Sequence, residues 1–151
     1  MDLVYEFGYN AMLNPPVDVG AGPLGVRQVF EVTGGQVEGE RIKGRVLGGG
    51  GEWLLLGADG FGRIDVRIQF ETTDGAHIYV QYLGLLEANE VVHEFMTGQR
   101  QETDYGDQYF RTAPRLETGD PRYGWVNQSL FVAEGRAFPG YGVEYRVYRV
   151  A

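Results

Sequence analysis

Between residues 63 and 84 the chain carries carboxylates, an imidazole, a phenol and an arginine at a spacing of two. Asp65, Arg67, Gln69 and Glu71 alternate with Ile64, Val66, Ile68 and Phe70; beyond a turn, His77, Tyr79 and Gln81 alternate with Ile78, Val80 and Tyr82. Alternation sends successive side chains of a strand to opposite faces, so the polar residues share one face and the apolar residues the other. A two-residue turn at Asp74-Gly75 would mix the faces. A three-residue loop, Thr73-Asp74-Gly75 with Gly75 left-handed, sets Thr72 opposite Ala76 and aligns like with like. The resulting patch holds the residue types of acid–base catalysis: Asp65 or Glu71 as base, Tyr79 as proton donor, Arg67 to steady an enolate or carboxylate, and His77 beside them. The same residues also suit a solvated face tied by cross-strand ion pairs, and both placements satisfy the alternation.

A second cluster lies at 109–127. Tyr109 supplies another proton donor and Arg111 another oxyanion stabiliser, while Tyr123, Trp125 and Asn127 share a face if their segment is a strand. Together with Trp53 they suit the wall of a site for a flat or carbonyl-bearing ligand, although Trp and Tyr at such spacing also simply fill cores. Gly48–Gly51 lacks the spacing of a phosphate loop and no helix pattern follows it, so it reads as a tight strand connection. A metal held by His77, Glu71 and Asp65 is conceivable but matches no ligand spacing; no metal and no cofactor is expected. Ser129, the only serine, lacks the context of a hydrolase nucleophile.

The elements that must position these residues are almost all strands. Segments rich in Val, Ile, Leu and aromatics, punctuated by many of the 24 glycines, predict strands near 2–9, 26–33, 41–47, 52–56, 63–72, 76–84, 108–113, 123–133 and 143–150. One helix is expected within 87–97, where Val91, Val92, Phe95 and Met96 form a stripe ended by Gly98. Residues 11–25 and 98–107 read as long loops. Such a strand count belongs to an all-β sandwich or barrel, in which the polar row of 63–72 faces either solvent or the lumen.

Composition narrows the functions. At 151 residues with 43% hydrophobic content, the chain supports one domain, 1–151, rather than two. Its net charge of −8 argues against nucleic-acid or anionic-membrane partners. Without cysteine it has no disulfides, thiolate metal sites or cysteine nucleophile. No basic leader and no apolar run near the roughly 18 residues of a membrane span is present, so a cytoplasmic protein is expected.

The succession Thr33-Gly-Gly35, Gly48-Gly49-Gly50 with Glu52-Trp53, Asp59-Gly60, Asp65-Val-Arg67, Thr73-Asp74-Gly75-Ala76-His-Ile78, Tyr109-Phe-Arg111, Tyr123-Gly-Trp125-Val-Asn127 and Val143-Glu-Tyr145-Arg-Val-Tyr148 resembles the bacterial domain-of-unknown-function 3237 family, also called UPF0311. No single motif is specific; their order over nearly the whole chain is. The resemblance implies a single antiparallel β-barrel of about eight strands, similar to calycin or allene-oxide-cyclase-like barrels, with a tendency to form homo-oligomers. It implies no agreed activity and carries no catalytic residues across. It does bring the lumen-facing placement of the polar row level with the solvated one, because polar residues among the shared motifs are rarely needed merely to build a barrel.

The expected function is that of a small-molecule-binding barrel acting as a cofactor-free lyase, isomerase, hydratase or cyclase. Its substrate would be an apolar or aromatic carbonyl compound held in the lumen. The alternatives are a carrier of an apolar small molecule and an oligomeric scaffold with a filled barrel.

Overall fold

The alternating hairpin is realised as the most extensive ladder of the molecule. In the computed structural model, which covers residues 1–151, β6 (Phe61–Thr72) pairs with β7 (His77–Glu87) in antiparallel register from Phe61↔Glu87 to Glu71↔His77. The connecting loop has three residues: Thr72 N–H donates to Ala76 O at 2.8 Å, Gly75 N–H donates to Thr72 O at 3.0 Å, and Gly75 has φ +89°. Glycine takes that left-handed conformation without a Cβ penalty.

The remaining strands are β1 (Leu3–Leu13), β2 (Val17–Gly22), β3 (Gly25–Gly39), β4 (Gly44–Val46), β5 (Gly50–Leu56), β8 (Phe110–Glu117), β9 (Phe131–Phe138) and β10 (Gly142–Val150). Eight strands close a ring in the order β1-β10-β9-β8-β7-β6-β5-β3, with β3 returning to β1. The long β3 has room for two partners on each side. It pairs β5 along Val26–Val32 and β4 along Gly35–Val37, and it extends past β1 to pair β2. Residues 11–25, expected as a loop, therefore hold the end of β1 and all of β2. Their glycines and prolines punctuate a hairpin rather than prevent one.

Inside the ring the apolar rows meet. Ile64, Val66, Ile68 and Phe70 of β6 and Ile78, Val80 and Tyr82 of β7 are buried with Phe7, Tyr9, Tyr145 and Val147 in one core. Burying each such side chain contributes roughly 1.5–3 kcal/mol. An eight-stranded barrel is just wide enough for side chains to fill it, so the interior accepts one row of each strand and rejects charge. The polar row of β6 accordingly lies on the outer face. This corrects the lumen-facing placement of Asp65, Arg67 and Glu71.

The two ends close differently. At the floor, near the start of β7 and the end of β6, residues Pro121–Gln128 form a 3-10 segment, not the expected strand over 123–133. Asp120 caps it by accepting from Arg122 N–H at 2.9 Å, and Pro121 occupies its first turn. A capping aspartate followed by proline starts a helical turn whatever the alternation beyond it. At the roof lies α1 (Glu90–Met96), with Asn89 Oδ1 accepting from Val92 N–H at 3.1 Å and Gly98 at φ +81° beyond its end. No helix is long and apolar enough to cross a membrane.

Candidate functional site

The structure keeps the residues that alternation had grouped on β6 and β7 on one face, and turns that face outward. Asp65, Arg67, Glu71, His77 and Tyr79 stand on the outer face of β6 and β7, where Glu71 accepts from Arg45 Nη2 at 2.9 Å and lies 2.9 Å from His77 Nε2. These contacts hold the Glu71 carboxyl below the usual carboxylate range, the His77 hydrogen bond first and that from Arg45 second. Tyr109 and Arg111 are exposed as well, with the guanidinium 5.2 Å from the Tyr109 ring centroid. Trp53 is 42% exposed on the outer row of β5.

The other three predicted residues belong to the floor. Tyr123 is buried and its hydroxyl donates to Asp74 Oδ1 at 2.8 Å. Trp125 lies under Arg41, whose guanidinium carbon is 3.6 Å from the ring centroid. Asn127 is exposed and brackets Thr118, accepting from its N–H at 2.8 Å and donating to its carbonyl at 2.9 Å. Arg41 also ion-pairs at 2.6 Å with Glu6, which Arg149 contacts at 2.8 Å. Burial pushes the Glu6 carboxyl up, but hydrogen bonds from the two arginines outweigh it and hold it low. This floor is a structural closure.

The chemistry gathers at the roof. An apolar cavity of about 60 Å³ opens there, walled by strand ends and by Val92, Phe95 and Met96 of α1. Only two of its lining residues, Glu52 and Gln108, are neither aliphatic nor aromatic. Glu52 pairs across the sheet with Phe30 on β3 and Val66 on β6, both buried inside, so its side chain shares their inward face. Its carboxylate makes no hydrogen bond or ion pair, and the residue keeps some exposure in the wall of the cavity. Burial, with a smaller contribution from the charge of Asp65, pushes the carboxyl up to about 8. Glu52 is therefore protonated at neutral pH, a state suited to giving a proton to a bound molecule.

Deeper in the barrel, Tyr9, Tyr82 and Tyr145 pack together, with Tyr9 and Tyr145 stacked at 4.9 Å and Tyr82 edge-on to Tyr145 at 5.4 Å. Burial first, and the neighbouring phenols and Glu52 after it, raise all three well above the ordinary tyrosine value. Their hydroxyls are close enough to influence one another, yet Tyr9 Oη and Tyr145 Oη are buried without a well-formed hydrogen bond. Phe110 lies between this cluster and the cavity, edge-on to Tyr145 at 5.3 Å. Its ring packs on Gly135, where a Cβ would come within 2.9 Å of it.

The seam between β8 and β9 is unusual. The two strands pair only at Arg111↔Glu134 and Thr112↔Ala133. Toward the roof, Thr103 and Gln108 take over: Thr103 Oγ1 accepts from Ala137 N–H at 2.9 Å, and Gln108 Nε2 donates to Gly135 O at 3.3 Å and to Asp104 O at 2.9 Å. The polar stretch 98–107 thus seals one wall of the site. Sequence reasoning missed both Glu52 and Gln108. In β5, Glu52, Leu54 and Leu56 form one period-two row and Trp53 and Leu55 the other, so either row reads as apolar and the tryptophan drew attention to the wrong one. No group of three or more His, Asp or Glu side chains gathers to hold a metal ion.

The architecture defines a small closed antiparallel β-barrel with a plugged floor and a capped apolar cavity. The chain belongs to the DUF3237 family, also called UPF0311: the family model described as "Protein of unknown function (DUF3237)" matches residues 1–150. A UPF0311 protein of Rhodopseudomonas palustris is 34% identical over 133 residues, covering 87% of this chain and 86% of that protein. Its crystal structure superposes with a TM-score of 0.88 at 33% identity, over 99% of this chain and 97% of that one. A protein of Acinetobacter baumannii described as beta-barrel like gives a TM-score of 0.83 at 30% identity, over 99% and 96% of the two chains. More distantly, a Penicillium herquei protein described as an enzyme shares the fold, with a TM-score of 0.69 at 20% identity over 97% and 93%.

Proposed function

We propose that the protein is a cofactor-free acid–base enzyme acting on a small apolar or aromatic molecule bound beneath α1, with Glu52 as the proton-transferring group. The observation that carries this reading is an inward-facing carboxyl without a counter-ion in a mostly apolar cavity. A carboxyl placed in that way in a soft-walled pocket is poised as a general acid: it gives a proton to a carbonyl oxygen or an electron-rich carbon, and takes one back from another atom of the same molecule. Isomerase, cyclase, lyase and hydratase reactions all consist of such exchanges. That the same barrel occurs in a protein described as an enzyme supports a catalytic reading.

The site residues change with it. Glu52 takes over the proton transfers that the sequence reading gave to Asp65 or Glu71 as base and to Tyr79 or Tyr109 as proton donor, and Phe30, Phe95, Phe110 and Tyr141 replace Trp53 and Trp125 as the aromatic wall. At about 60 Å³ the cavity holds only a few heavy atoms, so admitting a substrate of this class requires α1 to move outward. One observation favours the carrier reading as second choice: no other carboxylate and no histidine lines the cavity.

The test is deuterium exchange into cyclohexanone and acetophenone in D₂O, followed by NMR with the wild-type chain and with Glu52→Gln. Acceleration by the wild type, falling as pH rises through about 8 and lost by roughly 10²-fold or more in the variant, is the expected result. Exchange that survives the substitution removes Glu52 from the reaction. Binding without exchange leaves the carrier.

A further inference from the structure

Gln108, which lines the same cavity, carries a hydrogen-bond acceptor with nothing to accept. Gln108 is 5% exposed, and its Oε1 is among the few buried polar atoms without a partner. Its orientation is settled by its amide nitrogen. Nε2 donates to two backbone carbonyls, Asp104 O at 2.9 Å and Gly135 O at 3.3 Å, and turning the amide over would set its oxygen against both. Both N–H groups are used, so Oε1 is left as a fixed acceptor, which cannot become a donor by rotating as a hydroxyl can. Buried acceptors of this kind are ordinarily paired, and leaving one unpaired is costly.

The rest of the lining limits what can pair with it. No lysine, arginine or histidine borders the cavity, so an anionic ligand would lose its hydration without gaining a counter-charge. The other polar groups of the lining are the Glu52 carboxyl, protonated at neutral pH, and the Tyr141 hydroxyl, which burial keeps protonated; neither supplies a positive charge, and neither hydrogen-bonds to Gln108. We infer that the ligand of this cavity is a neutral hydroxyl compound, an alcohol, phenol or enol, whose O–H donates to Gln108 Oε1 while its apolar body fills the space under α1. This rests on the roof cavity being the binding site and narrows its substrate class; it does not depend on Glu52 being catalytic. Gln108 is on this account the specificity-determining residue, rejecting molecules of equal size that lack a donor.

Three probes built on the same propylphenyl body decide it: 4-propylphenol, its methyl ether and 4-propylbenzoate. Each is titrated into the full chain labelled at the methionine methyls, with the Met96 resonance reporting occupation of the cavity it lines. The phenol binds about tenfold or more tightly than the ether, and the benzoate is weaker than both at pH 7. Equal affinity of phenol and ether, or tightest binding by the benzoate, overturns the inference while leaving the acid role of Glu52 to its own exchange test. Failure of all three to shift Met96 overturns the cavity as the binding site, and the inference with it. Gln108→Met, checked for folding by circular dichroism, should erase the preference; if it does not fold, the ligand series alone decides.

Discussion

Replacing Glu52 with glutamine should make the protein more stable, and increasingly so as pH rises. The carboxyl titrates near 4.5 when exposed in the unfolded chain and near 8 in the folded one. Below about pH 4.5 both states are protonated and the burial of Glu52 has no ionic cost. Between the two values the unfolded state releases its proton while the folded state keeps it, so stability falls by about 1.4 kcal/mol per pH unit. Above about 8 both are ionised and the loss levels off. The wild type is therefore penalised by about 3 kcal/mol at pH 7 and by about 5 kcal/mol, an upper bound, at pH 9. Glutamine is nearly isosteric and never ionises, so it escapes that penalty.

Urea denaturation of both proteins at about pH 5, 7 and 9 measures the difference, and every other titrating group cancels in the comparison. With a slope near 2 kcal/mol per molar urea, a 3 kcal/mol gap at pH 7 moves the midpoint by about 1.5 M. Two results refute the reasoning. Parallel stability curves would mean that Glu52 is solvated or paired, and a less stable variant at pH 9 would mean that the ionised carboxylate has a partner.

Gly135→Ala should push Phe110 off its seat, cost about 1–3 kcal/mol in thermal stability and weaken binding of 4-propylphenol, since the new methyl would come within 2.9 Å of a ring that walls the cavity. Glu6→Gln should cost about 3 kcal/mol near neutral pH, because Arg41 and Arg149 lose their shared carboxylate. Its folded value is lowered, so that stabilisation is present above about pH 4.5 and is lost as pH falls through the depressed value, which acid titration of wild type and variant checks. Arg41→Ala should release Trp125 from its cation, shifting the tryptophan fluorescence and costing about 1–2 kcal/mol. Amide hydrogen exchange should be faster in α1 than in β6 and β7, since the helix has only one buried residue while the hairpin is laddered along its length. Equal protection would argue that the roof does not open.

What the sequence by itself determined is most of the strands, though not β2 or the extent of β9, and the hairpin between β6 and β7. Strict alternation from Ile64 to Glu71, the turn residues Thr73-Asp74-Gly75 and the count of short β-rich segments depend on local chemistry, which a linear reading contains. The order of its motifs likewise pointed to the family. Alternation has a two-fold ambiguity, however: it separates two faces without saying which is inside. Only closure of the ring decided that Ile64, Val66, Ile68 and Phe70 fill the barrel and that Asp65, Arg67 and Glu71 face outward, because a barrel of this width has space for one row and cannot solvate the other. In β5 the ambiguity ran the other way, since both rows look apolar and it is the pairing of Glu52 with Phe30 and Val66 that turns the carboxylate inward. Gln108 became part of the site because β8 and β9 part company toward the roof, leaving carbonyls that its amide had to satisfy. Such a seam is a property of strands far apart in the chain, and it exists only once the barrel has closed.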